Sequence, residues 1–131
     1  ARDPAMEPGT HAHRRVLVVD DDARARAAVA RILEEEGYDA TQAADGEEAS
    51  SLLDAFRPDL VLTDLHMPRL DGRGLLQRVR TLLPGTPVIV LSASGRPEAL
   101  ALTNGLGAAA IFRKPVEVDD LLGRIRELLS R

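Results

Sequence analysis

The sequence contains no cysteine and no tryptophan, and its 131 residues include one tyrosine and two phenylalanines. Without cysteine there are no disulfides and no thiol chemistry, which is consistent with a reducing compartment. Tyr38, Phe56 and Phe112 are too few to build a stacking platform for single-stranded nucleic acid. Positive charge is not in excess: 17 Lys and Arg against 21 Asp and Glu give a net charge of −4. That balance argues against generic nucleic-acid binding, which needs a concentrated basic face. There is no apolar run long enough to span a bilayer and no signal-peptide hydrophobic region, so a cytoplasmic location is expected. No Gly-rich phosphate-gripping loop is present either. Lysine is nearly missing, because Lys114 is the only one. Codon bias explains this as readily as a site at position 114 that requires a slim point charge on a flexible stem. Composition does not separate the two.

What is present fits one domain with a full-sized core, too short for a catalytic domain plus an output domain. Residues 1–14 carry prolines, a glycine and the pair His11 and His13 without apolar periodicity. They read as a disordered leader or expression remnant, and two histidines on such a tail make a weak metal site. Residues 15–131 read as the folded domain. Val16 to Val19 is a buried strand ending in Asp20-Asp21-Asp22, followed by a helix over Ala23 to Glu36 that Gly37 stops. Asp39 to Ala43 is a second strand, and Asp45-Gly46 turns the chain into a helix over Glu47 to Phe56. Leu60 to Thr63 form a third strand that delivers Asp64 to its carboxyl end. Pro68 and Asp71-Gly72 supply turn chemistry before a helix over Gly72 to Leu83. Val88 to Leu91 is the fourth strand, with Ser92 at its end, and a fourth helix is expected over Pro97 to Leu106. Ala109 to Arg113 is the fifth strand, closed by Lys114-Pro115, and the last helix spans Val116 to Ser130. Strands alternating with helices through short connections are the signature of a parallel sheet wrapped by right-handed crossovers.

In such sheets chemistry sits beyond the carboxyl ends of the strands. Asp20 to Asp22, Asp64, Ser92 and Lys114 all fall there. Singly each is unremarkable: the first cluster could cap a helix, and Ser92 could be a turn hydroxyl. Converging together, the carboxylates would repel one another by several kcal/mol unless a cation lay among them. Hard oxygen ligands suit Mg²⁺. A carboxylate beside a cation, a lysine and a hydroxyl matches phosphoryl transfer onto Asp64. The metal and Lys114 would neutralise the phosphoryl oxygens, and Ser92 would donate a hydrogen bond to one of them.

The residues Val16-Leu17-Val18-Val19-Asp20-Asp21, Thr63-Asp64-Leu65-His66-Met67-Pro68 with Asp71-Gly72, Leu91-Ser92-Ala93 and Lys114-Pro115 closely resemble the receiver domain of two-component response regulators. The resemblance covers nearly everything but the leader. It implies an α/β fold of the (βα)5 flavodoxin-like kind, a five-stranded parallel sheet with helices on both faces. It implies that Asp64 is the phosphoacceptor, charged by a sensor histidine kinase or phosphotransfer protein. Asp21, Asp64 and the backbone carbonyl of His66 would hold Mg²⁺, with Asp20 assisting through water. Ser92 would be the switch hydroxyl, and the Lys114–Pro115 bond is expected to be cis. The strand ends at Val19, so Asp20 and Asp21 are taken as the family pair and Asp22 as a helix cap. One departure stands out: the family usually places a Tyr or Phe three residues before the lysine as a rotamer switch, and here that position is Ile111. Phe112 should not substitute, because successive strand residues point to opposite faces.

The resemblance therefore points to a phosphorylation-dependent signalling switch, not a conventional enzyme, acting on its own aspartate. Homodimer or output-domain contact is expected at the face of the fourth helix, the fifth strand and the last helix, with no nucleic-acid or membrane contact. One alternative is a degenerate receiver acting as an interaction module, which Ile111 keeps open. Another is an aspartyl-phosphate phosphatase of the haloacid dehalogenase type. That class places a second Asp two residues after the nucleophile, where this chain has His66, and it needs a cap domain.

Overall fold

The computed structural model describes residues 14–93 and 105–130. Five strands form one parallel sheet in the order β2-β1-β3-β4-β5. They are β1 (Arg15–Val19), β2 (Asp39–Ala43), β3 (Leu60–Asp64), β4 (Val88–Ser92) and β5 (Ala110–Arg113). Among the described residues four helices lie between and after them: α1 (Ala23–Glu35), α2 (Gly46–Phe56), α3 (Gly72–Leu82) and α4 (Val118–Leu129). The sequence-predicted helix over Pro97 to Leu106 falls almost wholly outside the described residues, as does the leader up to residue 13.

The apolar runs are buried on both faces because alternate side chains serve two separate cores. Leu17, Val19, Val61, Val88 and Val90 meet Ala49 and Leu53 of α2 and Leu75, Leu76 and Val79 of α3. Val16, Val18, Leu60, Leu62, Ile89 and Leu91 meet Ala30 and Leu33 of α1 and Leu121, Leu122, Ile125 and Leu129 of α4. The split runs through β5, where Ile111 packs with the first core and Phe112 with the second. Phe112 is therefore on the face opposite Ile111, as strand alternation requires.

The helix ends follow local chemistry. Gly37 adopts φ +95° just past α1 and donates its N–H to Glu34 O at 3.0 Å, which closes the helix. The α4 helix starts two residues later than the sequence pattern suggests, because Glu117 is still extended at its N-cap. The Lys114–Pro115 bond before it is cis. Arg14, grouped with the leader by composition, already joins the sheet: its carbonyl accepts from Asp39 N at 2.8 Å.

Candidate functional site

Parallel register brings the strand ends level. Val19 pairs with Thr63, so the residues that follow, Asp20 and Asp64, stand side by side. Asp64 in turn pairs with Leu91, and Ser92 with Arg113. Lys114 thus leaves the sheet two residues further along than Asp64 and two strands away, at about 3.3 Å per residue and about 4.8 Å per strand. A long side chain must reach back across that gap, and it does. Lys114 Nζ lies 3.1 Å from Asp64 Oδ1 and 3.5 Å from Asp20 Oδ2. The single lysine is a charge site within an acidic pocket.

Alternation puts Asp20, Asp64 and Lys114 on the face covered by α1 and α4, in line with Val18, Leu62 and Phe112. Ser92 belongs to the opposite face, in line with Val88, Val90 and Ile111. Ser92 is buried, and its carbonyl accepts from Lys114 N at 2.8 Å, which locks the ends of β4 and β5 together.

The three consecutive aspartates divide their work. Asp22 is the N-cap of α1, its carboxylate accepting from Arg24 N at 3.0 Å and Ala25 N at 3.3 Å. Asp20 is buried, its Oδ1 accepting from Asp22 N at 2.9 Å and its carbonyl from Arg26 Nη1 at 2.8 Å. Asp21 is exposed. Asp20, Asp21 and Asp64 can each turn one carboxylate oxygen to within 4.8 Å of the others. That all-oxygen donor set is of the kind a hard divalent cation takes.

Electrostatics follow from this crowding. Burial pushes the Asp64 carboxyl above the usual carboxylate range; Lys114 pulls it back and the Asp20 charge pushes it further up. Burial lowers the Lys114 ammonium, but the adjacent Asp64 and Asp20 carboxylates outweigh it and leave the pKa raised. The ion pairs are enclosed, with side-chain exposure of 13% for Asp64 and 31% for Lys114. Asp64 Oδ1 also accepts from Leu65 N at 3.1 Å, and Thr63 Oγ1 donates to the Asp64 carbonyl at 2.9 Å. His66 is exposed on the loop that follows.

A second charged pair, Asp45 with Arg69, fastens that loop to α2. Sequence alone marks Asp45-Gly46 as a turn, but nothing in the pattern couples it to a residue 24 positions on. A groove of about 590 Å³ between α1 and α4, lined by Val29, Ile32, Val118 and Leu122, opens beside Lys114.

The family model described as the response regulator receiver domain matches residues 16–126. Over 117 residues the sequence is 38% identical to the response regulator MprA of Mycolicibacterium vanbaalenii, which is 89% of this chain and 51% of that protein. The chain therefore spans about half the length of that relative. It is 32% identical over 115 residues to sporulation initiation phosphotransferase F of Bacillus subtilis, covering 88% of this chain and 93% of that protein. The solved receiver domain of Francisella response regulator 1452 superposes with a TM-score of 0.84 at 36% identity, covering 91% of this chain and 98% of that one. With sequence, sheet order and overall shape in agreement, the chain belongs to the response regulator receiver domains, the signalling domains of two-component systems.

Proposed function

We propose that this domain is a phosphorylation-controlled switch that accepts a phosphoryl group on Asp64 from the phosphohistidine of a sensor kinase or phosphotransfer protein. The observation that carries the reading is Lys114 Nζ at 3.1 Å from Asp64 Oδ1 in a pocket shared with Asp20. A carboxylate oxygen of Asp64 forms the new O–P bond while the P–N bond to the donor imidazole breaks, its electron pair staying on nitrogen. Lys114 balances charge on the incoming oxygens, and the Ser92 hydroxyl donates to one of them. The aspartates present fit a hard divalent ion: Asp21, Asp64 and the backbone carbonyl of His66 would hold Mg²⁺, with Asp20 acting through water. When bound, the ion supplies positive charge opposite the phosphoryl oxygens.

Phosphorylation adds about 1.5 to 2 negative charges at neutral pH. Ser92 shares the sheet face of Ile111, so drawing Ser92 toward the new oxygens re-sets that side of the domain. A kinase presenting its phosphohistidine would find apolar surface in the groove beside Lys114. Homodimerisation or output-domain contact belongs to the face of β5 and the last helix; the fourth helix expected to complete that face lies almost wholly outside the described residues.

The test is mass measurement after treatment with acetyl phosphate and Mg²⁺. One phosphoryl group is expected on the wild type and none on Asp64→Asn; undiminished labelling at another residue overturns the assignment. Ile111 favours a second reading, in which the domain binds its partner without full switching. Equal partner affinity with and without beryllofluoride would select it.

A further inference from the structure

Away from the acidic pocket, the loop between β3 and α3 is fastened at its far end. Asp45 is buried and caps α2, its Oδ1 accepting from Glu48 N at 2.8 Å. Its Oδ2 accepts from Arg69 Nε at 2.9 Å and also from Arg69 Nη2. Two guanidinium nitrogens converge on one oxygen of a carboxylate that is only 9% exposed, while the Arg69 side chain itself is 60% exposed, so the Asp45 end of the pair is the fixed one. Arg69 adopts φ +69°, a conformation that glycine takes with less strain. The next residue is equally confined: a Cβ on Gly46 would lie 1.9 Å from the Leu70 carbonyl oxygen, so α2 and the loop meet backbone to backbone. At its near end the loop is tied by Leu65 N to Leu91 O at 2.9 Å. His66 and Met67 lie between the two fastenings.

We propose that Asp45 and Arg69, with Gly46 seated against Leu70, form a clasp that sets the position of the 65–71 loop and thereby the Mg²⁺ affinity of the Asp20–Asp21–Asp64 pocket. The inference rests on the Mg²⁺ reading above, because the loop leads directly from Asp64 and carries the carbonyl of residue 66. Asp45 and Arg69 are positioning residues that act through the loop backbone. Holding that backbone in place before the ion arrives removes an ordering cost from binding.

Two variants separate this role from simple structural support. Arg69→Gly removes the guanidinium while relieving the positive φ, so support alone predicts a shift in the thermal melt with no change in Mg²⁺ affinity at the pocket. Asp45→Asn keeps a favourable N-cap and loses the charge. Calorimetric titration with Mg²⁺, with thermal melts alongside, is expected to show a roughly tenfold weaker affinity in each, at the low end of what lost outer-shell support costs a metal site. The double variant should lose no more than either single one, and acetyl phosphate labelling should recover at saturating Mg²⁺. Wild-type affinity in Arg69→Gly, or losses that multiply in the double variant, overturns the clasp and leaves the phosphoacceptor assignment standing. A wild-type protein that binds no Mg²⁺ overturns both.

Discussion

Consecutive aspartates do different jobs here because a strand ends between one kind of backbone and another. Asp22 is held by the first turn of α1 through Arg24 N and Ala25 N, whereas Asp20 and Asp21 face the pocket with Asp64. Asp22→Ala is therefore expected to cost about 1 kcal/mol of stability in urea denaturation, the usual loss for an N-cap, with Mg²⁺ affinity unchanged. Asp21→Ala should do the reverse. The Asp64 carboxyl has its own pH signature. Its pKa is raised in the fold, chiefly by burial. A raised carboxylate favours the protonated folded state, so its ionisation costs stability once the pH has risen through the folded value. In chelator at pH 7, Asp64→Asn should melt higher than wild type. The gain should vanish at pH values below the ordinary aspartate pKa of about 3.9. Equal melting temperatures at pH 7 would contradict the burial argument.

Between elements, tolerance depends on what lies beyond a missing side chain. A Cβ on Gly72 at the start of α3 would stand 2.6 Å from the Asp64 carbonyl oxygen and 2.9 Å from Leu65 Cα. The helix can begin that close to the end of β3 only because nothing projects from residue 72. Gly72→Ala must push α3 away from the end of β3 and is expected to destabilise by about 2 kcal/mol, within the range for overpacking. Gly85, in the turn before β4, has nothing within 4 Å of such a Cβ. Gly85→Ala should be neutral or slightly stabilising in the same urea titration. If both behaved alike, the close approach of α3 to β3 would not be what constrains Gly72.

For the whole molecule, the fold brings carboxylates from separate strands into a pocket whose one ammonium balances only part of their charge. Folding and cation binding should therefore be coupled. Mg²⁺ at about 100 times its dissociation constant should add about 2.7 kcal/mol to the unfolding free energy. That increment should shrink sharply in Asp21→Ala. The coupling is read from the midpoint of urea denaturation at several Mg²⁺ concentrations, and a midpoint indifferent to Mg²⁺ would contradict it.

The sequence alone determined the order of the five strands and of the four helices among the described residues, because runs such as Val16 to Val19 and Val88 to Leu91 and stops such as Gly37 act over a few residues. It also placed Asp20, Asp21, Asp64, Ser92 and Lys114 at strand ends, since each directly follows or closes an apolar run. Only the tertiary structure decided which of these groups meet. Register across four strands brings Lys114 back onto Asp64 and Asp20, while alternation sends Ser92 to the face of Ile111. The Asp45–Arg69 clasp was invisible along the chain for the same reason: a turn aspartate and a loop arginine carry no periodic signal, and only sheet and helix packing brings their side chains together.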